Sequence, residues 1–144
     1  MTMLRRRALL PAAISCLATP ALAQSAPPHE WLFGSWTGGI FPAIDTEGPA
    51  CFGTPVLIFT RDVVLRAASL DVIYRQRLIE TVVPTPEGLM IRLLPAPGGR
   101  AGSEMGFGCG DDPDLLRIAR IDADEIELPE CLEFPARLRR CRTP

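Results

Sequence analysis

The sequence predicts an all-β protein: a small antiparallel, up-and-down barrel of about eight strands, held by two disulfides. Three observations carry that prediction. Short runs rich in Val, Ile and Leu recur along the chain, as in "VLIFTRDVVLRA" and "LMIRLLP". Gly- and Pro-rich turns separate them at fairly regular spacing. Cys51, Cys109, Cys131 and Cys141 lie beyond the N-terminal segment and suffice for two bridges.

The N-terminal segment reads as an export signal. Arg5, Arg6 and Arg7 precede an apolar run, "ALLPAAISCLA", and "ALA" follows at residues 21–23. A positive start, a short apolar core and an A-x-A end are the parts of a secretory signal peptide. Cleavage is expected after Ala23, so residues 1–23 are set aside. Pro11 and Pro20 interrupt the apolar run, which falls short of the roughly 20 residues a spanning helix takes. The general secretory route is expected, with "RRALL" leaving the twin-arginine route open. A lipid anchor on Cys16 is disfavoured, because the usual Leu three residues earlier is missing. The location that follows is the periplasm or the outside of a bacterial cell, in an oxidising compartment.

The rest is long enough for one domain, over residues 31–144, after a short leader at 24–30. The signal segment takes three of the 15 basic residues and none of the 17 acidic ones, leaving 12 against 17 and a net charge of −5. That sign argues against nucleic acid and anionic membrane surfaces as partners. Every cation is Arg; with no Lys, Schiff-base chemistry is excluded.

The leader "QSAPPHE" is polar and Pro-rich, so an extended, mobile arm is expected. "WLFGSWTGGIF" is the first strand. Its period of two puts Leu32, Gly34, Trp36, Gly38 and Ile40 on one face. Glycines beside Trp36 mark a bend or a close approach of another backbone. Residues 42–55 form a loop by their Pro, Gly and acidic content. Residues 56–67 make two strands about a tight turn at Arg61-Asp62. "LDVIYRQRLIETVV" continues to Val83, "PTPEG" turns, and "LMIRLLP" returns with Leu89, Ile91 and Leu93 on one face. "SEMGFG" is a short irregular strand. "LLRIAR" and "DEIELP" are strands about residues 121–123, and "ARLRRC" closes the set. One stretch competes: Ala67, Leu70, Tyr74 and Leu78 approach helical spacing, so a helix within 66–80 is the alternative, with the β-branched neighbours favouring strand.

Four cysteines allow three connectivities. Cys131–Cys141 is favoured, because "CLEFPARLRRC" can fold back across Pro135, and Cys51–Cys109 then follows. A metal site is disfavoured, since no two cysteines stand in C-x-x-C spacing.

With strands throughout and "LFGSW" opening the first, the chain resembles the lipocalin-like (calycin) barrels, whose mark is a G-x-W, here Gly34-Ser35-Trp36. The resemblance implies that Trp36 closes one barrel end beneath an Arg of the last strand. Among Arg137, Arg139 and Arg140, alternation with an inward Leu138 selects Arg140. Gly34, Trp36 and Arg140 are therefore the expected structural set. The specific likeness covers about ten residues; the T-D-Y stretch of the family is absent, and the size is nearer the smaller calycins, such as avidin-like barrels or periplasmic inhibitors of secreted metalloproteases.

The catalytic inventory is sparse. His29 is the one histidine and sits in the leader, where solvation is expected. There is no G-x-S-x-G, H-E-x-x-H, phosphate loop or dinucleotide fingerprint. The acidic groups at 111–114 and 122–127 lack EF-hand order and read as solvated turns and edges. No enzyme activity, metal or cofactor is expected. Trp36, Tyr74, Arg75 and Arg77 are the candidate ligand-binding residues, at the barrel interior or mouth. Arg75 and Arg77 share a face. At the mouth they would hold an anionic head group; the outer face is the favoured reading, which turns Tyr74, Val72 and Leu78 to the lining. The function that follows is an exported binding protein for a small apolar or amphipathic ligand. A protein-interaction module, such as a secreted-protease inhibitor, and a structural envelope protein are the alternatives.

Overall fold

The computed structural model describes residues 25–39, 51, 56–67, 75–95, 109–132 and 134–142. Eight antiparallel strands close into a barrel in which each strand pairs with its neighbours in sequence and β1 pairs with β8. They are β1 (Gly34–Gly38), β2 (Val56–Phe59), β3 (Val63–Ala67), β4 (Arg75–Pro84), β5 (Gly88–Leu93), β6 (Leu115–Arg120), β7 (Glu125–Glu127) and β8 (Leu138–Arg140). A 3-10 turn, Glu30–Leu32, precedes β1. The expected up-and-down barrel is what forms.

Alternation sets the interior. Trp36 stands opposite Leu57 and Arg140, and Leu57 opposite Arg66. Carrying the register around the barrel turns Phe59, Val64, Ile91, Leu116, Ile126 and Leu138 inward, each fully or almost fully buried. Their side chains meet in one cluster across the axis. Burying such a side chain contributes about 1.5–3 kcal/mol each, so this filled interior is the main source of stability.

The turns explain themselves locally. Thr60 opens the β2–β3 turn, its amide donating to the Val63 carbonyl at 2.9 Å. This is the turn expected at Arg61-Asp62. The Asp122 carboxylate accepts from the amides of Asp124 and Glu125, both at 2.7 Å, and so builds the β6–β7 turn. At Gly88 a Cβ would lie 2.1 Å from the Ile118 carbonyl oxygen, so only glycine lets β5 come this close to β6.

Three expectations are corrected. The first strand begins at Gly34, because Trp31 and Leu32 belong to the 3-10 turn. His29, expected in solvent, is 3% exposed, with Nε2 3.0 Å from the Arg61 carbonyl oxygen, while Ser25, Ala26 and Pro28 before it are exposed. The disulfides join Cys51 to Cys141 and Cys109 to Cys131, not Cys51 to Cys109 and Cys131 to Cys141. The physical reason is the register. The Cys141 amide bonds the Ser35 carbonyl near the start of β1, so closure of the barrel holds Cys141 beside the first strand, and Cys51 is the cysteine that meets it there. Cys109 and Cys131 face each other as an isolated β-bridge. The competing helix at 66–80 does not form over 66–67 or 75–80, which lie in β3 and β4; residues 68–74 lie outside the described set.

Candidate functional site

Two ends of the barrel carry the inward-facing polar residues. At the upper end the 3-10 turn crosses the opening, together with the turns at 60–62, 85–87 and 121–124. The lower end is where β1, β3, β5 and β7 finish.

The upper end is closed by Trp36. Its indole N–H donates to the Leu32 carbonyl at 2.8 Å, within the buried interior. The Arg140 guanidinium carbon lies 4.2 Å from the ring centroid, giving a cation over the indole face. Arg140 also donates to the carbonyls of Trp31 at 2.6 Å and Phe33 at 2.9 Å, so it fastens the incoming segment to the last strand. Burial holds its guanidinium below the ordinary arginine value; Asp124, 3.5 Å from Nε, acts the other way, and Arg120 adds to the lowering. Arg120 repeats the pattern over Trp31, at 4.5 Å. Gly34 enters β1 at φ +117°, a conformation that disfavours any side chain, and a Cβ there would sit 3.6 Å from an Arg140 nitrogen. Gly34, Trp36 and Arg140 thus form one closing unit.

The lower end is lined by arginine on β3 and β4. Arg66 stands opposite Arg75, and Val64 opposite Arg77. Since Val64 is fully buried in the interior, Arg77 and Arg75 point inward, and the outer-face reading is corrected. The phase of the alternation is set by pairing with β3, which a single strand's pattern does not reveal. Leu78, expected to line the barrel, is on the outside and 53% exposed. Tyr74 lies outside the described residues.

Arg77 is 5% exposed and well occupied. It donates to the Leu94 carbonyl at 3.2 and 2.6 Å and to the Pro113 carbonyl at 3.4 Å, and it pairs closely with Asp114. Its donors therefore tie the lower rim together. Arg66 is 8% exposed and reaches over the Phe134 ring at 5.4 Å; Arg75 is half-buried.

Outside the barrel, a depression of about 460 Å³ is lined by Asp111, Asp112, Arg117 and Glu130 beside the Cys109 bridge. A second, of about 360 Å³, is lined by Asp122, Asp124, Glu125, Arg139 and Arg140. Each mixes charges of both signs. A backbone hydrogen bond from Asp114 holds the Asp112 carboxyl below its usual range, helped by Arg92 and Arg117 and opposed by a little desolvation. Among the described residues no group of His, Cys, Asp and Glu is arranged to hold a metal. None of the described helices is long and apolar enough to cross a membrane.

Two features escaped the sequence reading. Leu132 projects from the turn after the Cys109–Cys131 bridge, 89% exposed. Cys131 and the fully buried Phe134 hold that turn on either side, with the Phe134 amide donating to the Cys131 carbonyl at 3.1 Å. The spacing of "CLEF", an apolar residue between two anchors, was the available signal. The second is His29, whose Nε2 bonds the Arg61 carbonyl. Comparison with protein-family models, curated proteins and solved structures finds no match to this chain.

Proposed function

We propose that this chain is an exported, non-catalytic binding barrel of the lipocalin-like kind, which recognises a protein partner with its ends and turns. The observation that carries the reading is the filled interior. Trp36, Leu57, Ile91, Leu93, Ile126 and Leu138 are all 0% exposed and meet across the axis, leaving recognition to the rim. The exposed Leu132, held on a disulfide-anchored turn, gives such a rim an apolar contact already fixed in place. The Trp36–Arg140 unit supports the lipocalin-like likeness. Two disulfides fit an oxidising compartment, in keeping with the Arg5–Arg7 signal segment. A secreted-protease inhibitor is one form this module would take.

A second reading, a carrier of a small amphipathic ligand, is favoured by the lower end. Arg66, Arg75 and Arg77 face inward on adjacent strands there, and their positive charge would attract an anionic head group. Its apolar tail would have to displace side chains of the filled interior.

Native mass spectrometry of the mature protein, cross-linked in its own host before purification, tests both. A linked protein mass supports the module. A small organic mass lost on denaturation supports the carrier. A bare chain in every preparation overturns the two together.

A further inference from the structure

We infer, building on the protein-binding rim, that the upper end takes an extended, basic segment of its partner as an added strand on the edge of β4. β4 outruns the strand beside it. Its pairing with β3 stops at Val63 with Leu78, and the Ile79 amide makes the last bond across, to the Asp62 carbonyl at 2.8 Å. Residues 80–84 run on, paired with β5 alone. The phase of that ladder fixes which backbone groups are left over. Thr85 and Gly88 exchange amide-to-carbonyl bonds at 3.0 and 3.3 Å, so Val83 and Thr81, in step with Thr85, also turn their groups to β5. Val82 between them turns its N–H and C=O the other way, as Pro84 turns its C=O. Among the described residues no strand pairs with that side.

A sheet edge binds extended peptide through main-chain hydrogen bonds, and the side chains around it select the sequence. The register shift between Ile79 and Thr81 bounds this edge on one side, and Pro84, with no N–H, on the other. A strand laid along it bonds both groups of Val82 and the Pro84 carbonyl. Thr81 and Val83 stand exposed on the outer face, Val83 at 47%, and would pair with alternate side chains of the added strand. Charge sets the rest of the preference. Glu80 lies in the edge, Glu87 on the β4–β5 turn and Asp62 on the turn that β4 passes; Glu30 follows His29, which bonds the Arg61 carbonyl. All four carboxylates are exposed, and none is ion-paired among the described residues. Elsewhere Asp112, Asp114, Glu125 and Glu130 each hold an arginine. The nearby cations are Arg61 and Arg120, and Arg120 lies over the Trp31 ring. An acidic strand is repelled here, and so is a second copy of this chain, which brings the same carboxylates. Lys or Arg alternating with β-branched residues fits both the charge and the pleat.

Amide NMR of the mature protein tests this with synthetic hexapeptides at millimolar concentration. In one, Lys alternates with Val; in the second, Glu alternates with Val; the third is the Lys peptide with its backbone amides methylated. The Lys peptide is expected to shift the Val82 amide and to slow its hydrogen exchange by about tenfold at about nine-tenths occupancy, because only unbound molecules exchange. The Glu peptide and the methylated peptide are expected to leave Val82 unchanged. Val82→Pro removes the outward N–H without touching the ladder to β5, a place where proline is tolerated, and should abolish the response to the Lys peptide. Glu80→Arg with Glu87→Arg alters exposed positions only and should reverse the preference, so that the Glu peptide binds. A Val82 amide indifferent to the Lys peptide overturns the added strand. So does equal binding of the methylated peptide, or an unaltered preference in the double Arg variant. When the chain is cross-linked in its own host, a partner joined at Leu132 and not at residues 80–84 overturns the added strand and leaves the protein-binding rim standing; no joined partner overturns the rim as well.

Discussion

Replacing Arg140 by Ala tests the closing unit of the upper end. The substitution removes the cation over Trp36 and the bonds to the Trp31 and Phe33 carbonyls. The stacked cation contributes roughly 1 kcal/mol at a partly buried site. Each charge-assisted bond would contribute about 1.5–3 kcal/mol if buried. This end is partly open to water, so about 1 kcal/mol each is the better figure. The Asp124 pair is on the exposed side and adds little. The expected loss is therefore about 3 kcal/mol, or about 10 °C in Tm for a domain of this size. Urea unfolding followed by Trp fluorescence gives it from the midpoint, provided the slope is unchanged. Arg140→Lys keeps the charge but cannot span both carbonyls, so about half the loss is expected. A loss below about 1 kcal/mol in the Ala variant would refute the idea that this arginine fastens the upper end. A Lys variant as stable as wild type would refute the two-carbonyl argument.

Further expectations rest on other contacts. Peptide mapping without reduction should find Cys51 linked to Cys141 and Cys109 linked to Cys131; a Cys131–Cys141 peptide would contradict the register. Removing the first bridge should destabilise more than removing the second, because it closes 90 residues against 22. The chain-entropy estimate puts the difference at about 1 kcal/mol, measured by denaturation of the two double-Ser variants. Gly88→Ala should cost about 1–3 kcal/mol, since its Cβ meets backbone that cannot turn aside; an unchanged urea midpoint would show that β5 and β6 can separate. Asp112, whose carboxyl is held low, contributes stability above the unfolded carboxylate value of about 3.9 and loses it as pH falls through its lower folded value. The stability gap between wild type and Asp112→Asn should therefore be under about 1 kcal/mol at neutral pH, because the pair with Arg92 is half exposed, and should close in stronger acid.

The strands were legible because a half-buried strand writes its burial as alternation, and "VLIF", "VVLRA" and "LMIRL" do so clearly. An arginine over Trp36 was implied by the lipocalin-like resemblance, and alternation with an inward Leu138 selected Arg140 for it. The inward placement of Arg75 and Arg77 was not. Alternation gives two faces without saying which is inside, and only the pairing of Arg77 with Val64 decides. The disulfide partners were hidden for a related reason: proximity comes from closure of the barrel, whereas spacing in sequence favoured the short loop. The leader misled through composition. Its prolines and polar residues suit a solvated arm, but the imidazole of His29 bonds the Arg61 carbonyl and is buried.

Seven of the barrel's pairings join strands adjacent in sequence, and the eighth joins β1 to β8. Arg140 and Phe33, which it holds, are 107 residues apart. The neighbouring hairpins can zip up with little loop entropy to overcome, whereas the seam between β1 and β8 must gather almost the whole chain. Folding should thus end at that seam, with a curled but open sheet before it. Such a sheet has two unpaired edges, one on each side of the gap, and bare edges are where strands of different molecules add to one another. Among the described residues, three pairs stitch the seam in the register, Trp36 with Arg140, Thr37 with Arg139 and Gly38 with Leu138, and the Cys141 amide adds its bond to the Ser35 carbonyl. Once closed, the bridge from Cys51 to Cys141 lies beside it and keeps the last strand from peeling away. Oxidation at that position therefore decides more than equilibrium stability. It sets how long each molecule spends with its edges bare, and so how much of a crowded population reaches the closed barrel before it aggregates.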